Sequence, residues 1–337
     1  MKPATPNRLA TCLRGYFTEH LPRLRAMSPH TIHSYRDSLV LLLRFLASKR
    51  KRQVCELDLD DIEPDQVLAF LTHLEEGRNN SVPTRNVRLA AIHAFLRYVG
   101  ARHPDQIERA QRVLAVPFKR ARQRVVEYLE YAEIEAVLSR IDRSSRDGRR
   151  DYALLVTMFN TGARVQEVLD LRARDLQLTR PYQLRLFGKG RKERFCPLWP
   201  QTAKELRAFC AERQFDLRSE SKVFLNHREE PLTRYGVRYI LAKHIDRARL
   251  DVPALAGKRL HPHSMRHSTA VALLKSGADL STIGQFLGHA SPNTTNRYAS
   301  IDLDMKREAI AKVKPIPRSR TAAWRNNQAV LDWLEQL

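Results

Sequence analysis

Six residues, in the order Arg164, Lys189, His263, Arg266, His289 and Tyr298, carry the chemistry that this sequence could perform. Arg164 lies in Thr161-Gly162-Ala163-Arg164-Val165-Gln166-Glu167, where the glycine interrupts one helix and the arginine opens the next. Its planar fork can meet two phosphate oxygens at once. Glu167 follows on the same face and can hold the guanidinium; as a surface pair this adds only about 0.2–0.5 kcal/mol, so its value is orientation. In Gly188-Lys189-Gly190-Arg191-Lys192-Glu193-Arg194 a hairpin presents Lys189 at its tip. That lysine can protonate a leaving 5′ oxygen, or the hairpin only touches phosphate. His263, Arg266 and His267 share one helical face. The two histidines also fit a metal pair, but Arg266 between them repels a cation and no Glu follows the first His, so the sequence predicts no metal site.

Taken together these groups are cationic or neutral donors with one tyrosine. A two-metal nuclease needs clustered carboxylates, and only Glu167 accompanies this set. The charge of a transferring phosphoryl group would then be stabilised by Arg164, Arg266, Lys189 and the histidines. Free tyrosine is ionised in only about one molecule in a thousand at pH 7. Neighbouring positive charge would lower its pKa, and His263 could take its proton. Attack by Tyr298 would leave a phosphotyrosine link that conserves the phosphodiester energy, so neither ATP nor another cofactor is expected.

These residues need a scaffold and a polyanion. Of 337 residues, 59 are Lys or Arg and 37 are Asp or Glu, a net charge of +22 that points to nucleic acid. No apolar run approaches a membrane span and no cleavable leader opens the chain, so the reading is no membrane partner and a cytoplasmic, nucleoid-associated protein. Cys12, Cys55, Cys196 and Cys210 are scattered and read as reduced and structural.

Residues 1–116 read as a helical domain. Ser28-Pro29 opens a helix carrying Ile32, Tyr35, Leu39, Leu42 and Leu46 at helical spacing, and Leu89, Ile92, Leu96 and Val99 repeat the pattern. Arg85 and Arg88 on this second helix are candidates to face phosphate, or belong to its solvated side. Residues 117–126 form a basic linker whose Lys119, Arg120, Arg122 and Arg124 either follow the phosphates or are merely solvated. Residues 127–312 read as mixed, with helices near 131–141, 149–160, 202–213, 234–249 and 264–276, and short strands at 184–187 and 194–198. The fold class is mainly α with a small β-sheet. Residues 313–337 form a tail in which Val330, Trp333, Leu334 and Leu337 make an amphipathic helix, to be docked on its own subunit or on a neighbour.

The ordered motifs resemble the tyrosine recombinase family of phage integrases and Xer-type enzymes. The resemblance covers the chain from its helical first part to Tyr298. It implies that Arg164, of the T-G-x-R-x-x-E motif, and Arg266, of H-x-[LM]-R-H, clamp the scissile phosphate. It further implies that Lys189 is the general acid, that His263 and His289 complete the phosphate site, that Glu167 supports it, and that Tyr298 is the nucleophile forming a 3′-phosphotyrosine. Arg191 and Lys192 join the candidate DNA contacts. Ala163 and Met265 stand where the family more often has Leu, which are changes of packing alone. The family also implies a SAM-like core-binding domain, a double-stranded DNA recombination site, a tetramer on paired sites exchanging strands through a Holliday junction, and accessory proteins. The tail favours an enzyme of a mobile element. A catalytically silent DNA-binding protein and a relaxing topoisomerase are the rival readings.

Overall fold

The computed structural model describes residues 7–121, 126–188, 192–289, 292–296, 298, 310–311 and 334–335. The chain divides into two units, Met1–Arg124 and Val125–Leu337, and each is taken by itself. Among the described residues no helix is long and apolar enough to cross a membrane, and the four cysteines are free thiols.

The first unit is helical: α1 Arg8–Gly15, α2 Pro29–Arg50, α3 Pro64–Glu76, α4 Val82–Arg102 and α5 Ile107–Leu114. α1 widens into π-helical turns over Tyr16–Leu24, a segment that contains Pro22. Ser28 caps α2 as the sequence predicts, its hydroxyl accepting from the Thr31 N–H, and Pro29 takes the first helical position. Leu42 and Leu46 of α2, Phe70 and Leu74 of α3, and Leu89, Ile92 and Phe95 of α4 meet in one core. Each such side chain contributes roughly 2 kcal/mol by leaving water.

Two arginines named as candidates to face phosphate make contacts within this unit. Arg85 is buried, with Nη1 donating to the Pro117 carbonyl at 3.0 Å and to Asn86. This is a correction: the residue ties α4 to the chain that follows α5 and offers no free charge to a duplex. Arg88 is half-buried and donates to the Ser38 hydroxyl of α2 at 3.0 Å. The start of the expected linker is also fixed to this unit. Asn86 exchanges hydrogen bonds with the Lys119 backbone, and Lys119 Nζ lies 2.7 Å from Glu75. Arg120 is exposed, while Arg122 and Arg124 lie outside the described residues.

The second unit contains α6 Tyr131–Ser139, α7 Arg146–Thr161, α8 Val165–Leu169, β1 Leu176–Gln177, β2 Gln183–Phe187, β3 Glu193–Pro197, α9 Pro200–Glu212, α10 Arg234–Ala248, α11 Pro262–Lys275, α12 Leu280–Leu287 and α13 Pro292–Asn296. The sheet is antiparallel in the order β1-β2-β3, with Leu184 opposite Cys196 and Leu186 opposite Arg194. Its first strand was not among the two expected; at two residues it is too short to show an alternating pattern. α7 starts earlier than its apolar spacing indicates because the Ser145 hydroxyl accepts from the Gly148 N–H and caps it. α7 is the central helix, packing against α9 and α11 through Leu154, Leu155 and Met158. A buried Asp151 on it receives Arg150 and lies 2.9 Å from His244 of α10, so the charge has partners on two helices.

Candidate active site

α7 ends at Thr161, and Gly162 turns the chain in the left-handed region at φ +55°. A Cβ here would come within 2.4 Å of Leu287 Cδ2, so conformation and space both require glycine. The turn delivers Arg164 to the N-terminus of α8. Glu167, in the first turn of that helix, accepts the Arg164 backbone N–H at 2.9 Å and its Nη1 at 2.7 Å. Arg194 of β3 donates Nη2 to the same carboxylate at 2.9 Å. Glu167 is buried, so the expectation of a weak surface pair is corrected: the carboxylate is an interior hub for two guanidinium groups. Burial pushes its pKa up, but the hydrogen bond and charge of Arg194, followed by the backbone and side-chain hydrogen bonds of Arg164, outweigh burial and hold it below the ordinary carboxylate value.

Arg266 sits in the second turn of α11 and is only 1 % exposed. Its Nη1 donates to the Gly162 carbonyl and its Nη2 to the Leu287 carbonyl, each at 2.7 Å. Gly288 ends α12 as Gly162 ends α7, again in the left-handed region, and its carbonyl accepts Arg164 Nη2 at 3.3 Å. Both arginines are thus positioned by carbonyls at helix C-termini, which carry partial negative charge. Burial, followed by the charge of Arg164, pushes the Arg266 guanidinium down to about 10, which still leaves it protonated at neutral pH. Two of its five N–H groups are used by the carbonyls.

Tyr298 is buried against Ala270, Val271 and Leu274 of α11 and Ile283 and Leu287 of α12. Its Oη lies 2.7 Å from Nδ1 of His267, with the ring centroids 5.6 Å apart. His263, one turn earlier on α11, is exposed, and its ring stands edge-on to His267 at 4.7 Å. His289 stacks nearly parallel to Tyr298 at 6.4 Å, and its Nδ1 lies 2.7 Å from the hydroxyl of the buried Thr295. Among the described residues no group of three or more His, Cys, Asp or Glu side chains could hold a metal ion.

Arg164, Glu167, Arg266, His267, His289 and Tyr298 are therefore linked by contacts among α7, α8, α11 and α12, whereas Lys189 and Arg191 lie outside the described residues. Lys192 is exposed, and its carbonyl accepts the Gly188 N–H at 2.8 Å where β2 and β3 join. Three contributors are absent from the sequence-based site: Arg194, His267 and Thr295. Arg194 had a signal, since it falls two residues before the buried Cys196 and so on the inward face of β3. His267 had one too, as a member of the face that His263, Arg266 and His267 share on α11. Thr295 had none, because a short Asn- and Thr-rich helix does not reveal which hydroxyl meets a histidine.

Residues 127–304 match the phage integrase family, and residues 16–103 match the phage integrase N-terminal SAM-like domain. The chain is 38 % identical over 329 residues to y4rC of Sinorhizobium fredii, named for an integrase/recombinase, with 98 % of each chain covered. It is 30 % identical over 308 residues to the tyrosine recombinase XerC of Pelobacter propionicus, covering 90 % of this chain and 95 % of that one. In fold it resembles the XerH site-specific recombinase in a post-cleavage complex with its palindromic difH substrate, at a TM-score of 0.66 and 22 % identity over 85 % of this chain and 81 % of that one. A similar likeness, TM-score 0.65 at 17 % identity over 90 % and 98 %, holds for the Tn1549 transposon integrase with transposon right end DNA. A tyrosine packed against the helix that carries the buried Arg266, in a sequence that matches the family over both of its parts, leads to one assignment: the chain belongs to the phage integrase family and is a tyrosine-type recombinase.

Proposed function

We propose that this protein is a site-specific recombinase of a mobile element that cleaves each DNA strand through a 3′-phosphotyrosine at Tyr298. It would exchange strands between two duplex sites through a Holliday junction, as a tetramer acting in the cytoplasm at the nucleoid. The observation that carries the reading is an excess of positive charge at the site. Arg164 and Arg194 share one carboxylate, Glu167, while Arg266 has only two carbonyls as hydrogen-bond partners among the described residues, beside a buried tyrosine. A scissile phosphate supplies the missing negative charge.

In this scheme Arg164 and Arg266 hold the two non-bridging oxygens, His263 and His289 complete their hydrogen bonding, and Lys189 protonates the leaving 5′ oxygen. Glu167 keeps Arg164 aligned. Arg120, Arg122, Arg124, Arg191 and Lys192 contact flanking phosphates, each adding about 0.9 to the salt slope of binding. A plasmid carrying two copies of the DNA repeats that flank the coding region tests the proposal. Joined products and four-way intermediates are expected. Relaxation of supercoils without joined products would favour a topoisomerase, and binding with neither outcome would favour a silent DNA-binding protein.

A further inference from the structure

We propose that His267, and not His263, receives the proton of Tyr298 and is therefore a catalytic residue of strand cleavage; the inference rests on the reading of Tyr298 as nucleophile. The reacting oxygen already lies at hydrogen-bond distance, 2.7 Å, from His267 Nδ1. Both partners are buried, His267 at 7 % and Tyr298 at 1 % exposure, so little water competes for the contact. The histidine is also held in place. Arg266, beside it on α11, is fastened to the Gly162 and Leu287 carbonyls, and Thr269, two residues on, donates to the Phe159 carbonyl of α7 at 2.6 Å. His263, by contrast, is exposed at the start of α11, where it can meet a phosphate arriving from solvent.

The step balances as follows. Tyr298 Oη attacks phosphorus and its proton passes to His267 Nδ1, giving an imidazolium. The Oη–P bond forms, the bond from phosphorus to the 5′ oxygen breaks, and that oxygen takes a proton from Lys189. In the rejoining direction a 5′ hydroxyl attacks phosphorus, the Oη–P bond breaks, and the imidazolium returns its proton to Oη. The groups that face this proton are His263 and Arg266 on α11 and His289 after α12, with Arg164 acting through Arg266. The Arg266 guanidinium opposes an imidazolium until the phosphate is bound, which couples proton transfer to the presence of DNA.

The test is the rate of covalent adduct formation on a nicked duplex by the full-length protein, measured from about pH 6 to about pH 9. His267→Asn is expected to lower that rate roughly 10²- to 10³-fold. The variant's rate should then rise with pH across this range, as solvent hydroxide takes over from the lost base. A substrate whose bridging 5′ oxygen is replaced by sulfur needs no proton on its leaving group. It should restore Lys189→Ala and leave His267→Asn slow. A His267→Asn variant with the wild-type rate and pH profile, or one rescued by the sulfur substrate, would overturn the proposal.

Nitrogen NMR of histidine-labelled protein avoids any dependence on that variant folding. The His267 Nδ1 resonance should move on Tyr298→Phe, and an unmoved resonance would also overturn the proposal. Failure of the wild-type protein to form any adduct is a separate outcome, which removes the nucleophile reading beneath it.

Discussion

Arg266 is a cation with almost no water and two carbonyls for company, and that environment says what it is for. An isolated buried charge is costly, and the two carbonyl bonds offset only part of the cost. A bound phosphate would supply the remainder. Arg164 is the cleaner residue for testing this division because its side chain is 35 % exposed and less of the fold depends on it. Arg164→Ala should lower the cleavage rate roughly 10²- to 10³-fold while duplex affinity, measured by titration, stays close to wild type. Equal losses in both would contradict it. Glu167 is a different case, because its removal strands Arg194 and releases Arg164 together. Glu167→Ala should cost about 3 kcal/mol in denaturant unfolding. The sign of its pH dependence follows from its lowered pKa. The folded carboxyl titrates below its ordinary value of 4.5, so its stabilisation is present above that value and is lost as pH falls through the folded one. Glu167→Gln should therefore flatten the acid limb of a stability-against-pH curve, and an unchanged limb would refute the assignment. Arg164, Arg266 and Tyr298 stood out in the sequence because their motifs are dense in unusual residue types, and the structure brings them to one site. The partners of Arg194 and His267, and the part played by Thr295, did not stand out, since they depend on which faces meet in space.

At the scale of elements, the site is built where two helices stop. α7 and α12 both end in a left-handed glycine, and the carbonyls those turns free are the ones that hold the arginines. Gly162→Ala should lose about 3 kcal/mol from left-handed strain and from contact with Leu287. Adding Leu287→Ala should recover part of that relative to the Leu287→Ala single variant, as read from chemical unfolding of the double-mutant cycle. No recovery would mean that the close approach is unimportant. α13 contributes a smaller device. Thr295 meets His289 Nδ1 and so fixes which ring nitrogen is presented outward. Helix positions were largely legible from apolar spacing and caps, with Ser28, Pro29 and Leu42 as the plainest cases. The ends were less so: Ser145 extends α7 backwards by a hydrogen bond that periodicity does not record, and β1 is too short to have a period.

For the whole molecule, the excess of 59 basic over 37 acidic residues announces a polyanion but does not say which cations meet it. The structure sorts some of them. Arg85 is sealed inside the first unit and Lys119 is paired with Glu75, whereas Arg120 and Lys192 are exposed. Alanine at Arg120 or Lys192 should each lower the slope of log affinity against log salt by about 0.9. Arg85→Ala should leave the slope unchanged and lower thermal stability instead. A reversed pattern would mean that exposure does not identify the DNA-facing cations. The burial of Arg85 was hidden from sequence because its neighbours on α4 are as polar as those of a solvated face; its partner, Pro117, lies 32 residues away.

The central claim is that Tyr298 is the residue joined to DNA. A duplex carrying the recombination site, nicked close to the scissile phosphate so that the short cleaved strand diffuses away, will trap the joined state. Digestion of the trapped complex and mass spectrometry of the DNA-linked peptide then identify the residue. The account expects a phosphodiester to Tyr298 and no adduct with Tyr298→Phe; an adduct on another residue, or one undiminished in Tyr298→Phe, would contradict it.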